Sequence, residues 1–114
     1  MRTVYEEMDR KAIEKVKSFM HEHCHESFDV EKMAAMVFFS VSKLNKTFKR
    51  IEGCGPASYH RRMKIHFAQE LARKQLLNWT VIGYQLGYSD LPSFSKAFKR
   101  VTGISPRQFS TTAI

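Results

Sequence analysis

The amino-acid sequence predicts an all-α protein, and three observations carry that prediction. Apolar residues recur at spacings of three and four over nearly the whole chain, which lines them along one face of a helix. Cap-forming residues and glycines punctuate these stretches at intervals that suit short helices. No segment alternates apolar and polar residues for long enough to read as a strand.

The helices follow in order. Ile13, Val16, Phe19 and Met20, preceded by Met8, mark an amphipathic helix over roughly residues 4–24 with a charged opposite face. Asp29 is the expected N-cap of a short second helix striped by Met33, Ala34 and Val37. Ser40 caps a third, along which Val41, Leu44, Phe48 and Ile51 step inward until Gly53 offers a left-handed stop. Pro56 lacks the N–H that a first turn leaves unbonded, so it can open a longer helix to Leu77, with Tyr59, Met63, Phe67 and Leu71 inward. Asn78 caps a short helix from Trp79 to Leu86 that ends at Gly87. Asp90 caps the next, with Pro92 tolerated in its first turn and Leu91, Phe94, Phe98 and Val101 facing in before Gly103 stops it. Pro106 opens a last short turn through Phe109.

A chain of 114 residues fits one domain, and 43% hydrophobic residues suffice for a core. The net charge of +8 favours a polyanionic partner. It is unevenly placed: residues 1–35 carry a net −2, whereas residues 36–114 carry +10, with Glu52, Glu70 and Asp90 as their only acids. The partner-facing surface is therefore expected in the last two thirds. No apolar run approaches the ~20 residues that span a bilayer, so no membrane partner is expected. Cys24 and Cys54 read as free thiols in a reducing cytoplasm.

The second half repeats the first. A shift of fifty positions lays Ser40 to Tyr59 on Asp90 to Phe109. Leu44 then falls on Phe94, Lys46 on Lys96, the run Phe48, Lys49, Arg50 on Phe98, Lys99, Arg100, Gly53 on Gly103 and Pro56 on Pro106. Each unit is a short helix, a tight turn and a second helix, the layout of a helix-turn-helix whose second helix enters the major groove. Two copies on one chain act like an internal dimer.

The stretch Ile82-Gly83-Tyr84-Gln85-Leu86-Gly87-Tyr88, followed by Phe94-Ser95-Lys96-Ala97-Phe98-Lys99-Arg100, Gly103 and Ser105-Pro106, resembles the signature of the AraC/XylS family of bacterial transcription regulators. The first repeat agrees at Ala34, Ser40, Leu44, Phe48, Lys49, Gly53 and Tyr59, and the linking helix at Lys64, Ala68 and Leu71. The resemblance covers roughly residues 10–110. It implies a seven-helix, all-α DNA-binding domain over residues 1–114, with two helix-turn-helix subdomains (about 4–55 and 78–110) joined by a long linker helix (56–77). It also implies a cytoplasmic activator of transcription that recruits RNA polymerase, with both recognition helices in successive major-groove segments of double-stranded DNA. Family members often carry a separate sensing domain ahead of this one, for which this length leaves no room. A stand-alone regulator and the C-terminal piece of a longer protein both remain open.

The chain departs from the family at several positions. Gly83 stands where alanine is usual, which weakens that helix by up to ~1 kcal/mol. Lys64 replaces a common arginine and would lose a bidentate carboxylate contact. Ala72 replaces a leucine and Phe38 fills a turn position that is usually small, so local repacking is expected there. Ser110 stands where arginine is frequent, removing one phosphate contact.

The outward positions of the recognition helices apportion the chemistry. On the first, Ser42, Lys43, Asn45 and Lys46 face bases: Asn45 can bond adenine N6 and N7, and Lys46 guanine O6 or N7. On the second, Leu91, Pro92, Ser93 and Lys96 hold the corresponding positions, and Leu91 and Pro92 offer only apolar contact, for example with a thymine methyl. Less hydrogen-bonded readout is expected there. Ser40, Lys49, Arg50, Lys99 and Arg100, with Arg61, Arg62 and Arg107 as further candidates, are expected to hold phosphates. Phe48, Phe94, Phe98 and Trp79 read as core, and Tyr84 and Tyr88 as packing residues.

His21, Cys24 and His25 would share a helical face at a spacing that suits zinc, but they sit at a helix end where the dipole already favours cationic histidine. No metal, cofactor or catalytic site is expected, since no Ser-His-Asp or paired-carboxylate arrangement stands out. The competing reading is a basic interaction module that binds nucleic acid or an acidic protein without base readout.

Overall fold

The first helix, α1 (Val4–Glu22), starts at Thr3, whose side chain accepts from the N–H of Glu6 while the Glu6 carboxylate accepts from the N–H of Thr3. This reciprocal pair satisfies two of the donors that a helix start leaves unbonded. The computed structural model describes residues 3–74 and 78–112. Among them lie six further helices: α2 (Val30–Met36), α3 (Val41–Glu52), α4 (Pro56–Arg73), α5 (Trp79–Gln85), α6 (Leu91–Thr102) and α7 (Pro106–Thr112). No strand occurs among the described residues, as the periodicity predicts. None of their helices is long and apolar enough to cross a membrane.

Local chemistry sets the ends of these helices. Asp29, Ser40, Asn78 and Asp90 each accept from the N–H three residues on. The recognition helices end alike, at Gly53 (φ 84°, ψ −6°) and Gly103 (φ 85°, ψ −8°). The fifty-residue repeat is thus a repeat of backbone geometry. It slips by one upstream of the caps: four residues separate α2 from α3 and five separate α5 from α6. Both turns are Schellman motifs, closed by Phe39 N–H to Ala34 O and by Tyr88 N–H to Gly83 O. Their left-handed residues are Phe38 (φ 61°) and Gly87 (φ 88°).

The chain divides into two compact units, one of the first 23 residues with Phe28–His60, the other of Cys24–Ser27 with the chain from Arg61 onward. In the first unit α1 and α2 both pack against α3, around buried Ile13, Val16, Met20, Met33, Ala34, Leu44 and Phe48. In the second, Ile65, Ala68, Ile82, Leu86, Phe94, Phe98 and Phe109 form the core, with Trp79, Ala72 and Leu71 packed against it. Trp79 meets the rings of Phe94, Phe98 and Phe109 at 5.3 to 6.0 Å.

Several expectations need correction. Met8 is exposed, because the buried face of α1 continues from Ile13 back to half-buried Asp9, four residues earlier. Phe67 is exposed as well: His60, Lys64 and Ala68 occupy the buried stripe of α4, so a reading that follows only apolar residues lands beside it. Leu91 opens α6 beyond the reach of the core and is exposed, and Tyr84 is exposed too. Phe38 does not repack its surroundings; it is 96% exposed. The described part of α4 ends at Arg73, and the expected extension to Leu77 runs into residues 75–77, outside the described ones. The last turn is a full helix, α7, opened by a reciprocal cap between Ser105 and Gln108.

Candidate nucleic-acid interface

The amphipathic character of α3 decides which of its side chains are free to meet a partner. Leu44, Thr47 and Phe48 are buried, which leaves Ser42, Lys43, Asn45, Lys46, Lys49 and Arg50 exposed. The helix is held from behind by the Phe48 ring, which meets Tyr59 edge-on at 5.4 Å. Ser40 spends its acceptor on the N–H of Lys43 at 3.0 Å, and its hydroxyl hydrogen stays available as a donor.

The second unit builds the same surface. Phe94 and Phe98 are buried, so Leu91, Pro92, Ser93, Lys96, Lys99 and Arg100 are exposed on α6. Asp90 caps the helix through Ser93 N–H at 2.8 Å. That backbone bond, helped by the Ser93 and Ser89 hydroxyls and least by the Lys96 ammonium, holds the Asp90 carboxyl below its ordinary range. Thus every sequence-predicted base-reading residue is exposed at its recognition helix; Ser42, Lys43 and Lys46 correspond to Pro92, Ser93 and Lys96, whereas Asn45 falls on half-buried Ser95 and Leu91 on half-buried Val41.

The cations of α3 are not all free. Arg50 Nη2 donates to Asp9 Oδ2 at 3.0 Å, and Lys43 Nζ lies 3.9 Å from Asp9 Oδ1. Lys43 Nζ also sits over the Phe39 ring, 4.4 Å from its centroid. Sequence reasoning missed Asp9 and Phe39. Phe39 has no local signature, whereas for Asp9 an aspartate on an otherwise apolar stripe of α1 was a signal. By contrast Lys46, Lys49, Lys99 and Arg100 make no ion pair with the described residues.

The remaining candidates differ among themselves. Arg62 and Arg107 are exposed, whereas Arg61 is half-buried; burial raises the Tyr88 pKa, and the Arg61 charge offsets part of that rise. Ser110 accepts from Trp79 Nε1 at 2.8 Å, so it serves the core of its unit. Behind α3, Lys17 bonds Glu52 at 2.7 Å, which raises the lysine's pKa, and burial raises that of Tyr59. His21, Cys24 and His25 do not share a helical face, because α1 ends at Glu22, ahead of Cys24 and His25, and not at residue 24. Among the described residues no group of three or more His, Cys, Asp or Glu is placed to hold a metal ion.

Residues 33–112 match the family model for a helix-turn-helix domain. The MmsAB operon regulatory protein of Pseudomonas aeruginosa is 29% identical over 92 residues, 81% of this chain and 30% of the relative. The chain spans about a third of the length of the curated relatives it matches. Its fold is similar to that of an AraC-type transcriptional regulator from Chromobacterium violaceum (TM-score 0.82, 23% identity, 91% of this chain and 93% of the other). It is also similar to the DNA-binding domain of the global transcriptional factor AdpA, solved with a target DNA (TM-score 0.78, 24% identity, 87% and 89%). The match over residues 33–112 covers more than half of the chain, so the chain belongs to the helix-turn-helix domain family, in its AraC type.

Proposed function

We propose that the chain is a DNA-binding domain that regulates transcription by reading a specific site, with α3 and α6 in successive major-groove segments. One observation carries this reading: each recognition helix is pinned by buried residues (Leu44 and Phe48, Phe94 and Phe98) and turns an exposed lysine, Lys46 or Lys96, outward with a Lys-Arg pair one turn on. Lysines at the middle of a recognition helix can donate to guanine O6 or N7. Lys49, Arg50, Lys99 and Arg100, with Ser40, would hold phosphates and position the helices without reading sequence. AdpA, whose DNA-binding domain has been solved on a target DNA, supports the class of partner.

In this reading residues 1–114 act as one DNA-binding domain, with subdomains over about 4–55 and 78–110 and a linker over 56–77. The protein works in the cytoplasm, on the nucleoid when bound. Activation by contact with RNA polymerase goes with the family, and a sensing domain ahead of the chain would supply the signal.

Selection from random duplexes tests the reading. An enriched motif of two half-sites about one helical turn apart is expected. Binding without any enriched motif would instead favour a basic module that follows only the backbone. Such binding is as salt-sensitive as specific binding, because ~6 to 10 phosphate contacts cost about 10³ to 10⁵ in affinity from 50 to 200 mM salt in either case.

A further inference from the structure

One carboxylate stands among the cations of the α3 surface. Asp9 reaches from α1 to Arg50 at 3.0 Å and to Lys43 at 3.9 Å. These two cations lie seven residues apart, two turns along one edge of α3, so a single acid engages both ends of that edge. The Asp9 side chain is only 19% exposed, while those of Arg50 and Lys43 are 57% and 54% exposed. The acid is therefore the fixed partner and the cations are the mobile ones. An exposed pair of this kind adds only ~0 to 1 kcal/mol to stability, so it can be broken by a competing anion. The second unit has no equivalent: Ser93 stands at the position of Lys43, and Arg100 makes no ion pair with the described residues.

We propose that Asp9 is a specificity-determining residue of the first recognition helix, competing with DNA for its cations: with a phosphate for Arg50 and with a base edge for Lys43. The inference rests on the DNA-binding reading above. On DNA without the right bases, α3 is held only by charge. A phosphate must then displace a carboxylate that is already in place and that repels it. The two cations stay with Asp9, and non-specific binding is weakened. At a matching site, contacts from Asn45 and Lys46 hold α3 in the groove long enough for Arg50 to exchange its carboxylate for a phosphate. Asp9 thus lowers non-specific binding more than specific binding and widens the ratio between them, which is the quantity that matters against a genome of competing sites.

The test compares the parent protein with Asp9→Asn, Asp9→Ala and Asp9→Asn/Arg50→Ala. Each is titrated onto a random-sequence duplex and onto the selected site from 50 to 200 mM salt, with thermal melting to verify folding. One additional phosphate contact steepens the salt dependence by about 0.9 in log–log slope, equivalent to a gain of about fifteenfold at 50 mM and about fourfold at 200 mM. That gain is expected for both single variants on the random duplex, with a smaller gain on the selected site. The double variant loses it. Folded single variants with an unchanged slope, with weaker binding to both duplexes, or with equal gains on both would overturn the role of Asp9. A parent protein that binds neither duplex would instead defeat the DNA-binding reading itself.

Discussion

Lys64 Nζ lies 5.2 Å from the centroid of the Tyr88 ring, and no carboxylate among the described residues pairs with it. The side chain is buried on α4, so an ammonium sits in the second unit with an aromatic face in place of a counterion. Desolvation lowers its pKa from 10.5, partly opposed by Cys24. Below that lowered value both folded and unfolded chains carry the charge, and the folded one bears the desolvation cost. As pH rises from there to 10.5 the folded chain gives up the proton first, so this cost is relieved and stability rises. Lys64→Met removes the ammonium and keeps the length. We expect it to stabilise the domain at pH 7 by about 1 kcal/mol, the desolvation gain less the lost cation–π contact. Melting curves should show that advantage shrinking between neutral pH and pH 10; a constant advantage would mean that packing, not charge, causes it.

Phe38 takes the left-handed position of its Schellman turn, φ 61°, with a ring that is 96% exposed. The backbone strain is thus uncompensated by burial. Asparagine tolerates the left-handed region and removes the exposed ring. Phe38→Asn is expected to raise stability by about 0.5 to 1 kcal/mol, a shift of roughly 2 to 6 °C in Tm for a unit of this size. An unchanged or lower Tm would show that the ring makes a stabilising contact.

The caps were legible because they are local. Asp29, Ser40, Asn78 and Asp90 each satisfy a donor three residues away, which needs no tertiary information. Thr3 was missed although Thr3 and Glu6 have the local spacing of a reciprocal cap. Misreadings fell where polar residues share a buried face. His60 and Lys64 on α4 and Asp9 on α1 displaced the apolar stripe by a residue and made Phe67 and Met8 look internal. The outward face of α3 followed from Leu44 and Phe48 alone. Its electrostatics did not, because the Asp9 to Arg50 pair joins residues 41 apart.

Gly87 and Gly53 share a left-handed backbone but not an environment. A Cβ on Gly87 would collide with the carbonyl oxygen of His25, whereas one on Gly53 would meet open space. Gly53→Ala should therefore lose only the conformational cost, about 1 kcal/mol. Gly87→Ala adds displacement of a backbone carbonyl, for a total of about 3 kcal/mol. Chemical denaturation of the two variants measures the difference directly, and equal losses would show that the segment holding His25 yields freely.

The two recognition helices are matched in charge and unequal in what they can read. Lys46 and Lys96 occupy the same position, but exposed Asn45 on α3 adds a donor and an acceptor where α6 has half-buried Ser95, and Ser42 is matched by Pro92. Lys46→Ala and Lys96→Ala are each expected to cost roughly 1 to 3 kcal/mol and to relax preference at one base position. Lys99→Ala, at the end of α6, should weaken binding to all sequences alike and reduce the salt slope by about 1. In the selected motif the half-site facing α3 should then be the better defined, since apolar contact with a thymine methyl discriminates less than a bidentate bond to adenine. Selection repeated with each variant checks this assignment. A half-site that fades under Lys99→Ala, or one that keeps its preference under Lys46→Ala, would move base reading to other side chains.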